Sequence, residues 1–142
     1  SFTGYCKVTS TFFNDYMQNV TMRLIKTEVN PEKENSVILH DLYYKGYDIV
    51  LDFDRKNLLE PLVNMEEQVC GNTSEAFGTI YGDGNLLMYQ PTMYTSYYSS
   101  CENFVLQYVT IYVDGVGTVG TYVNILEWIS DAEAEKLKEQ GY

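Results

Sequence analysis

Basic residues are scarce in this chain. It has nine Lys and Arg against twenty Asp and Glu, and its formal net charge is −11. Proteins that bind nucleic acids or anionic membrane surfaces do so through clustered Lys and Arg. The composition therefore argues against both partners, and the excess of acid fits a soluble, exported protein.

Long apolar runs are missing as well. No stretch approaches the roughly 18 to 20 apolar residues that a membrane-spanning helix requires. We therefore expect no direct membrane insertion of this segment. With 142 residues, the chain is long enough for one domain that buries a substantial core.

Most catalytic and cofactor motifs are absent. His40 is the one histidine, and no GxSxG motif surrounds any serine. The sequence "GVGTVG" (115–120) has the glycine spacing of a dinucleotide loop, but "TYVNILEW" after it continues as a strand where a helix is required. A histidine-based metal site would have a single imidazole. We predict a protein without catalytic residues, cofactor or metal.

Paired carboxylates leave one enzymatic alternative open. Glycosidases use two carboxyl groups roughly 5 to 10 Å apart. Asp52 and Asp54 share one face of a predicted strand, about 7 Å apart along it. The alternation directs both outward, and capping of a turn by Asp54 explains that residue more simply.

The three cysteines, Cys6, Cys70 and Cys101, show neither a CxxC motif nor zinc-site spacing. One interpretation is three free thiols, two of them buried as small apolar side chains. The other is a Cys70–Cys101 disulfide, since both residues lie beside polar, turn-rich stretches.

Apolar and polar residues alternate with a period of two, which predicts β-strands. In "YDIVLDFD" the residues Tyr47, Ile49, Leu51 and Phe53 share one face. In "NVTMRL" the corresponding face is Val20, Met22 and Leu24, and near the start it is Cys6 and Val8. Each pattern is typical of a half-buried antiparallel strand.

About nine such strands recur every 8 to 12 residues, the spacing of a β-sandwich or β-barrel. Asp114-Gly115 predicts a two-residue hairpin, and "YGDGN" (81–85) a turn between strands "FGTIY" and "LLMYQ". Gly117 and Gly120 predict a bend or bulge that helps a sheet to curl closed. We therefore predict an all-β, antiparallel up-and-down barrel, with a sandwich as the alternative.

The C-terminal sequence "SDAEAEKLKEQG" predicts a short helix with Ser130 as its N-cap and Glu133 completing a capping box. We divide the chain into a β-barrel domain at 1–129 and a helical appendage at 130–142.

The stretch "MYQPTMYTSYYSSCENF" (88–104) is rich in tyrosine and contains Pro91, which interrupts strand pairing. Tyr presents apolar area and a hydroxyl with few rotatable bonds, which suits ligand binding. One interpretation is a binding loop at the barrel mouth formed by Tyr89, Tyr94, Tyr97 and Tyr98. The other is that these rings cover the core.

The order of the segments "FTGYCKVTSTFF", "GYDIVLDFD", "GTIYGDGNLLMY" and "NFVLQYVTIYVDGVGTVGTYVNILEW" resembles the calycin-like β-barrel domains of secreted Bacteroidetes lipoproteins, many of unknown function. The resemblance covers about 1–128 and concerns strand order and turns. It implies an extracytoplasmic domain at the cell surface or in the periplasm, lipid-anchored through a segment outside this sequence. It assigns no functional residue.

We therefore expect a non-catalytic binding module for a small ligand, a glycan or a peptide. The alternative is a structural or protein-interaction module of a cell-surface assembly.

Overall fold

A computed structural model describes residues 2–142. Within that range the chain forms ten strands and three short helices. In chain order they are β1 (Gly4–Ser10), α1 (Thr11–Tyr16), β2 (Arg23–Val29), β3 (Ser36–Leu39), β4 (Ile49–Phe53), β5 (Val63–Asn64), β6 (Gln68–Asn72), α2 (Thr73–Phe77), β7 (Asn85–Tyr89), β8 (Tyr97–Ser99), β9 (Phe104–Val113), β10 (Gly117–Trp128) and α3 (Asp131–Glu139).

The strands form one antiparallel sheet that curls into a half-barrel. Its path runs β5-β4-β3-β2-β1-β10-β9-β7-β6. Strand β10 pairs along one edge of β9, and the other edge of β9 is divided between two partners. Strand β8 pairs with 104–106 and β7 with 110–113. The barrel wall therefore splits beside β9.

Hydrogen bonds tie the β5 end of this path to β8. The Val63 amide donates to the Ser96 carbonyl (3.0 Å), and the Tyr98 amide donates to the Pro61 carbonyl (2.9 Å). These bonds connect the β5 region to β8, which itself pairs with β9. With these hydrogen bonds, the strands from β5 through β9 to β8 form a continuous ring. The predicted all-β class is confirmed.

Alternating side chains fill the interior. In β4, Ile49, Leu51 and Phe53 are buried, as the sequence period predicts. Burying each such side chain stabilises the fold by roughly 1.5–3 kcal/mol. The short helix α1 adds Phe12 and Phe13, both essentially inaccessible. The Phe12 ring stacks on Tyr43, with ring centres 4.9 Å apart.

A chain of polar side chains also crosses the interior. The Tyr43 hydroxyl lies 3.0 Å from Ser10 Oγ and donates to Asn124 Oδ1. Asn124 Nδ2 donates to Gln107 Oε1 (3.1 Å), and Gln107 Nε2 lies 3.2 Å from the Met65 sulfur. Buried polar groups are costly unless paired. This network pairs them across strands that are distant in sequence.

The predicted inward face of the second strand is wrong. Strand β2 begins at Arg23, and its buried residues are Ile25 and Thr27, the opposite parity from Met22 and Leu24. Thr27 faces inward because its hydroxyl accepts a hydrogen bond from Trp128 Nε1 at 2.8 Å. The partner of this polar residue, Trp128, is distant in sequence, so the period of the strand alone does not predict that Thr27 is buried.

Two turn predictions need correction. Residues 73–77 form helix α2, which begins after Asn72, whose side chain accepts from the Ser74 amide. The segment "FGTIY" is therefore not a strand, because its first residue ends this helix and the rest form a turn. The Asp114-Gly115 hairpin is present, but its loop contains three residues, since Gly117 pairs with Val113. The expected irregularity of β10 is confirmed as a register shift between Thr118 and Gly120.

The predicted Cys70–Cys101 disulfide is not formed. Cys6 and Cys70 are buried free thiols, and Cys101 is an exposed one. Cys70 lies on β6, next to β7, which meets β9 at 110–113. Cys101 precedes the other end of β9, about 20 Å away along that strand. A disulfide requires Cα atoms within about 7 Å.

The C-terminal helix forms as predicted. Ser130 Oγ accepts a hydrogen bond from the Glu133 amide at 3.1 Å. Helix α3 buries Ala134 and places the Lys138 ammonium over the Tyr5 ring of β1, 4.4 Å from its centre. Among the described residues, none of the helices has the length and apolar character needed to cross a membrane.

Candidate functional site

A cleft of about 590 Å³ lies on the outer side of the sheet. It lies between the β4–β5 pair and the loop at 90–96, where the barrel wall splits. Polar residues dominate its lining, together with one aromatic ring. The lining includes Lys33, Asp52, Asn64, Glu66, Gln90 and Tyr94.

The floor of the cleft follows from the pleat of β4 and β5. Asp52 lies opposite Asn64 in the strand pairing. Their neighbours Leu51 and Val63 are buried in the interior. Because side chains alternate along a strand, Asp52 and Asn64 are directed to the outer face.

A charged pair lies at this floor. Lys33 Nζ is 2.9 Å from Asp52 Oδ2, and this hydrogen bond raises the pKa of Lys33. The Asp52 side chain is only 17% exposed. Its other oxygen, Oδ1, is buried and has no hydrogen-bond partner within residues 2–142. A buried acceptor without a partner costs free energy, which a ligand donor would recover.

The opposite wall of the cleft is held firmly in place. Gln90 Oε1 accepts from the Met65 amide at 2.7 Å, and Ser96 Oγ accepts from the Tyr108 amide at 2.9 Å. The Tyr94 ring stacks on Tyr108 with ring centres 4.9 Å apart. Tyr94 is nevertheless 47% exposed. The loop therefore presents a half-exposed aromatic ring on a fixed backbone.

The other predicted binding tyrosines lie elsewhere. Tyr98 is buried against Phe2 and Phe53, and its hydroxyl donates to the Asp54 carbonyl. Tyr97, on β8, packs edge-on to Phe104 outside the cleft. Tyr89, on β7, packs against Tyr112. The tyrosine-rich stretch therefore both covers the core and contributes to the cleft, and Tyr94 alone of the four lines it.

Two further depressions continue the cleft on either side of Asp52. One, of about 390 Å³, includes Asn35, Asp54 and Arg55. The other, of about 350 Å³, includes Asn30, Glu67 and Gln68. Asp52 lines all three. We call the three together the groove.

Asp54 has a structural role near this groove. Its Oδ1 accepts a hydrogen bond from the Lys56 amide at 2.9 Å, which is the turn capping expected from the sequence. The two carboxylates considered for hydrolysis therefore each have another task, Asp52 with Lys33 and Asp54 within its own turn.

His40 lies between two carboxylates. Its Nε2 is 2.8 Å from Glu28 Oε1, and its Nδ1 is 3.1 Å from Asp48 Oδ2. Partial burial opposes the charged ring, but these two hydrogen bonds outweigh it and raise the pKa of His40. The arrangement links β2 to the residues that follow β3. Within 2–142, His, Cys, Asp and Glu side chains nowhere gather in a group of three that could hold a metal ion.

Comparison with known protein families gives a match over almost the whole chain. A family model described as "Domain of unknown function (DUF4984)" matches residues 1–140. No curated protein and no solved structure matches the chain.

Proposed function

We propose that this chain, which belongs to the DUF4984 family of unknown function, is a non-catalytic binding module for a small ligand, a glycan or a peptide. The observation that supports the proposal most is the cleft itself. It combines a fixed, half-exposed Tyr94 ring with charged, amide and hydroxyl groups around an unpaired acceptor on Asp52. Ligand sites of this kind place a few convergent polar groups beside an apolar surface.

The proposal omits catalysis because the residues considered for catalysis each have another contact. His40 is engaged with Glu28 and Asp48 and does not line the groove. Asp52 is paired with Lys33, and Asp54 caps a turn.

Binding of the purified domain to a broad panel of glycans and peptides tests this function. We expect a specific ligand whose affinity falls about 10-fold or more in Tyr94→Ala, since truncating an aromatic side chain at a binding hot spot commonly costs about 1.4 kcal/mol or more, which is tenfold in affinity. Tyr97→Ala is the matched control, because Tyr97 is also partly exposed but lies outside the cleft. Equal loss in both variants, or a ligand indifferent to Tyr94, would contradict the assignment of the cleft.

A second candidate function is a protein-interaction module. Leu58 and Leu59 are 79% and 92% exposed in the loop between β4 and β5. Two adjacent exposed leucines are unusual on a surface unless a partner covers them. Sedimentation velocity would show concentration-dependent association that Leu58→Ser with Leu59→Ser abolishes. A monomer at all concentrations would argue against self-association through this loop.

We also propose an extracytoplasmic location with a lipid anchor outside this sequence, supported by the acidic composition and by the resemblance to secreted lipoproteins. Fractionation of cells that produce the natural protein, with protease added from outside, is the test. Protection of the protein in the cytoplasmic fraction would refute the proposal.

A further inference from the structure

We infer that the ligand of the groove is a neutral oligosaccharide, several units long, whose hydroxyl groups donate to Asp52. The inference deepens the proposed function and rests on it. Four features of the groove carry it: its length, its charge, the unpaired oxygen and the pairing of the neighbouring strands.

The length of the groove exceeds that of a single sugar. Val50 borders the depression at one end, and Asp54 borders the one at the other end. Val50 lies on β4 and Asp54 directly follows it, so at about 3.3 Å per residue the two positions are about 13 Å apart. The cleft lies beside this line and meets both depressions at Asp52. A chain of linked units can occupy all three, whereas a monosaccharide fills only one.

The charge of the groove disfavours anionic ligands. Its carboxylates outnumber its cations, and one of those cations, Lys33, is already paired with Asp52. The carboxylates are Glu32, Asp52, Asp54, Glu66 and Glu67. A uronate or sulfated sugar would meet net repulsion here. A neutral sugar meets none.

The unpaired oxygen of Asp52 is enclosed in the structure, and rotation of the carboxylate brings it to the groove, where a ligand can donate to it. Asp52 Oδ2 is satisfied by Lys33, but Oδ1 is buried without a partner within 2–142. A sugar hydroxyl donates one short hydrogen bond to a carboxylate, and such charge-assisted bonds are stronger than neutral ones. Around it, Asn64 and Gln90 provide amide groups that pair with further hydroxyls. Tyr94 supplies the apolar surface on which the face of a sugar ring packs.

The pairing of the neighbouring strands disfavours an extended peptide. Peptides commonly bind by adding a strand to a free sheet edge. Beside the groove, the Val63 amide donates to the Ser96 carbonyl. The amide and carbonyl of Val50 are both hydrogen-bonded to the Gln68 side chain. Recognition must therefore come from side chains, which suits a ligand rich in hydroxyl groups.

Isothermal titration with cellohexaose, xylohexaose, mannohexaose and maltohexaose tests the inference, with hexagalacturonate and a basic peptide as comparators. We expect at least one neutral hexaose to bind, and its monosaccharide unit to bind about 10-fold more weakly or worse. Asp52→Asn should weaken that binding about 10-fold, and so should Asn64→Ala, which changes an exposed side chain and leaves the core intact. Glu127→Gln, an exposed carboxylate removed on β10, is the matched control.

The outcomes separate the two proposals. Binding of the peptide or of hexagalacturonate in a Tyr94-dependent way, with no neutral hexaose bound, would keep the binding function and overturn the inference. A monosaccharide that binds as tightly as the hexaose would overturn it too, as would full affinity in both Asp52→Asn and Asn64→Ala. Failure of every neutral hexaose at millimolar concentration also overturns it, while the wider panel decides the binding function independently.

Discussion

The side-chain amide of Gln68 in β6 takes the place of a neighbouring strand for Val50 in β4. Gln68 Oε1 accepts from the Val50 amide at 2.8 Å, and Gln68 Nε2 donates to the Val50 carbonyl at 3.0 Å. Strands β4 and β6 lie near opposite ends of the sheet path. One side chain therefore bridges the split wall, at the margin of the groove.

Replacing Gln68 should destabilise the fold at this bridge. In Gln68→Leu, both backbone groups of Val50 lose a partner while partly buried, which costs about 1–3 kcal/mol. Gln68→Glu keeps the acceptor for the Val50 amide but sets a carboxylate oxygen against the Val50 carbonyl oxygen, so we expect a comparable loss. Urea unfolding followed by tryptophan fluorescence measures the difference. Gln18→Leu, at an exposed position, is the control and should be close to neutral.

Tyr43 should contribute to stability mainly through its hydroxyl. Tyr43→Phe leaves the stack on Phe12 in place but removes the hydrogen bonds to Ser10 and Asn124. An acceptor of Asn124 is then buried without this donor, and we expect a loss of about 1–3 kcal/mol. Tyr97→Phe, with an exposed ring, should change little. Equal urea midpoints for Tyr43→Phe and the wild type would show that the network adds nothing.

The cysteines should differ sharply in reactivity. Burial raises the pKa of Cys70 to about 12, and it also raises the pKa of Cys6. Only thiolates react with disulfide reagents, so Cys101 should react first in the native protein. After denaturation without reductant, three thiols should titrate. A single free thiol would instead support the Cys70–Cys101 disulfide. In the native protein, Cys101→Ser should abolish the fast phase of the reaction with the disulfide reagent.

The sequence predicted the strands whose pattern is local. In β4, the alternation of Ile49, Leu51 and Phe53 matches the observed burial. The Ser130 N-cap is equally local, since it needs only the amide three residues later. Such features depend on neighbours in the chain, and those neighbours are visible in the sequence.

Features that depend on distant partners could not be predicted in this way. Helix α1 has six residues, too few for a helical period, although the Ser10 hydroxyl that accepts from the Phe12 amide was a visible capping signal. The inward Thr27 is explained by Trp128, which lies 101 residues away. The cleft brings Lys33, Asp52 and Tyr94 together from three separate segments, and of these only Tyr94 was predicted to bind a ligand.

His40 should make the protein slightly more stable at low pH than at high pH. Its pKa is raised in the folded state because the hydrogen bonds to Glu28 and Asp48 outweigh the opposing effect of partial burial. A raised folded pKa means that the stabilisation is complete below the unfolded pKa of about 6.5 and is lost as pH rises through the folded value. Because the three groups are exposed to solvent, we expect a difference of about 0.2–1 kcal/mol.

The His40 titration is simple to follow because the chain has one histidine, so each of the two carbon-bound ring protons gives one NMR signal. We expect a midpoint above about 6.5, and a lower midpoint in Glu28→Gln, which removes one of the two carboxylate charges. The pH dependence of the urea midpoint between about pH 6 and pH 9 should flatten in His40→Gln, because the titrating group is gone. A folded midpoint at or below 6.5 would mean that the two carboxylates do not hold the ring in solution.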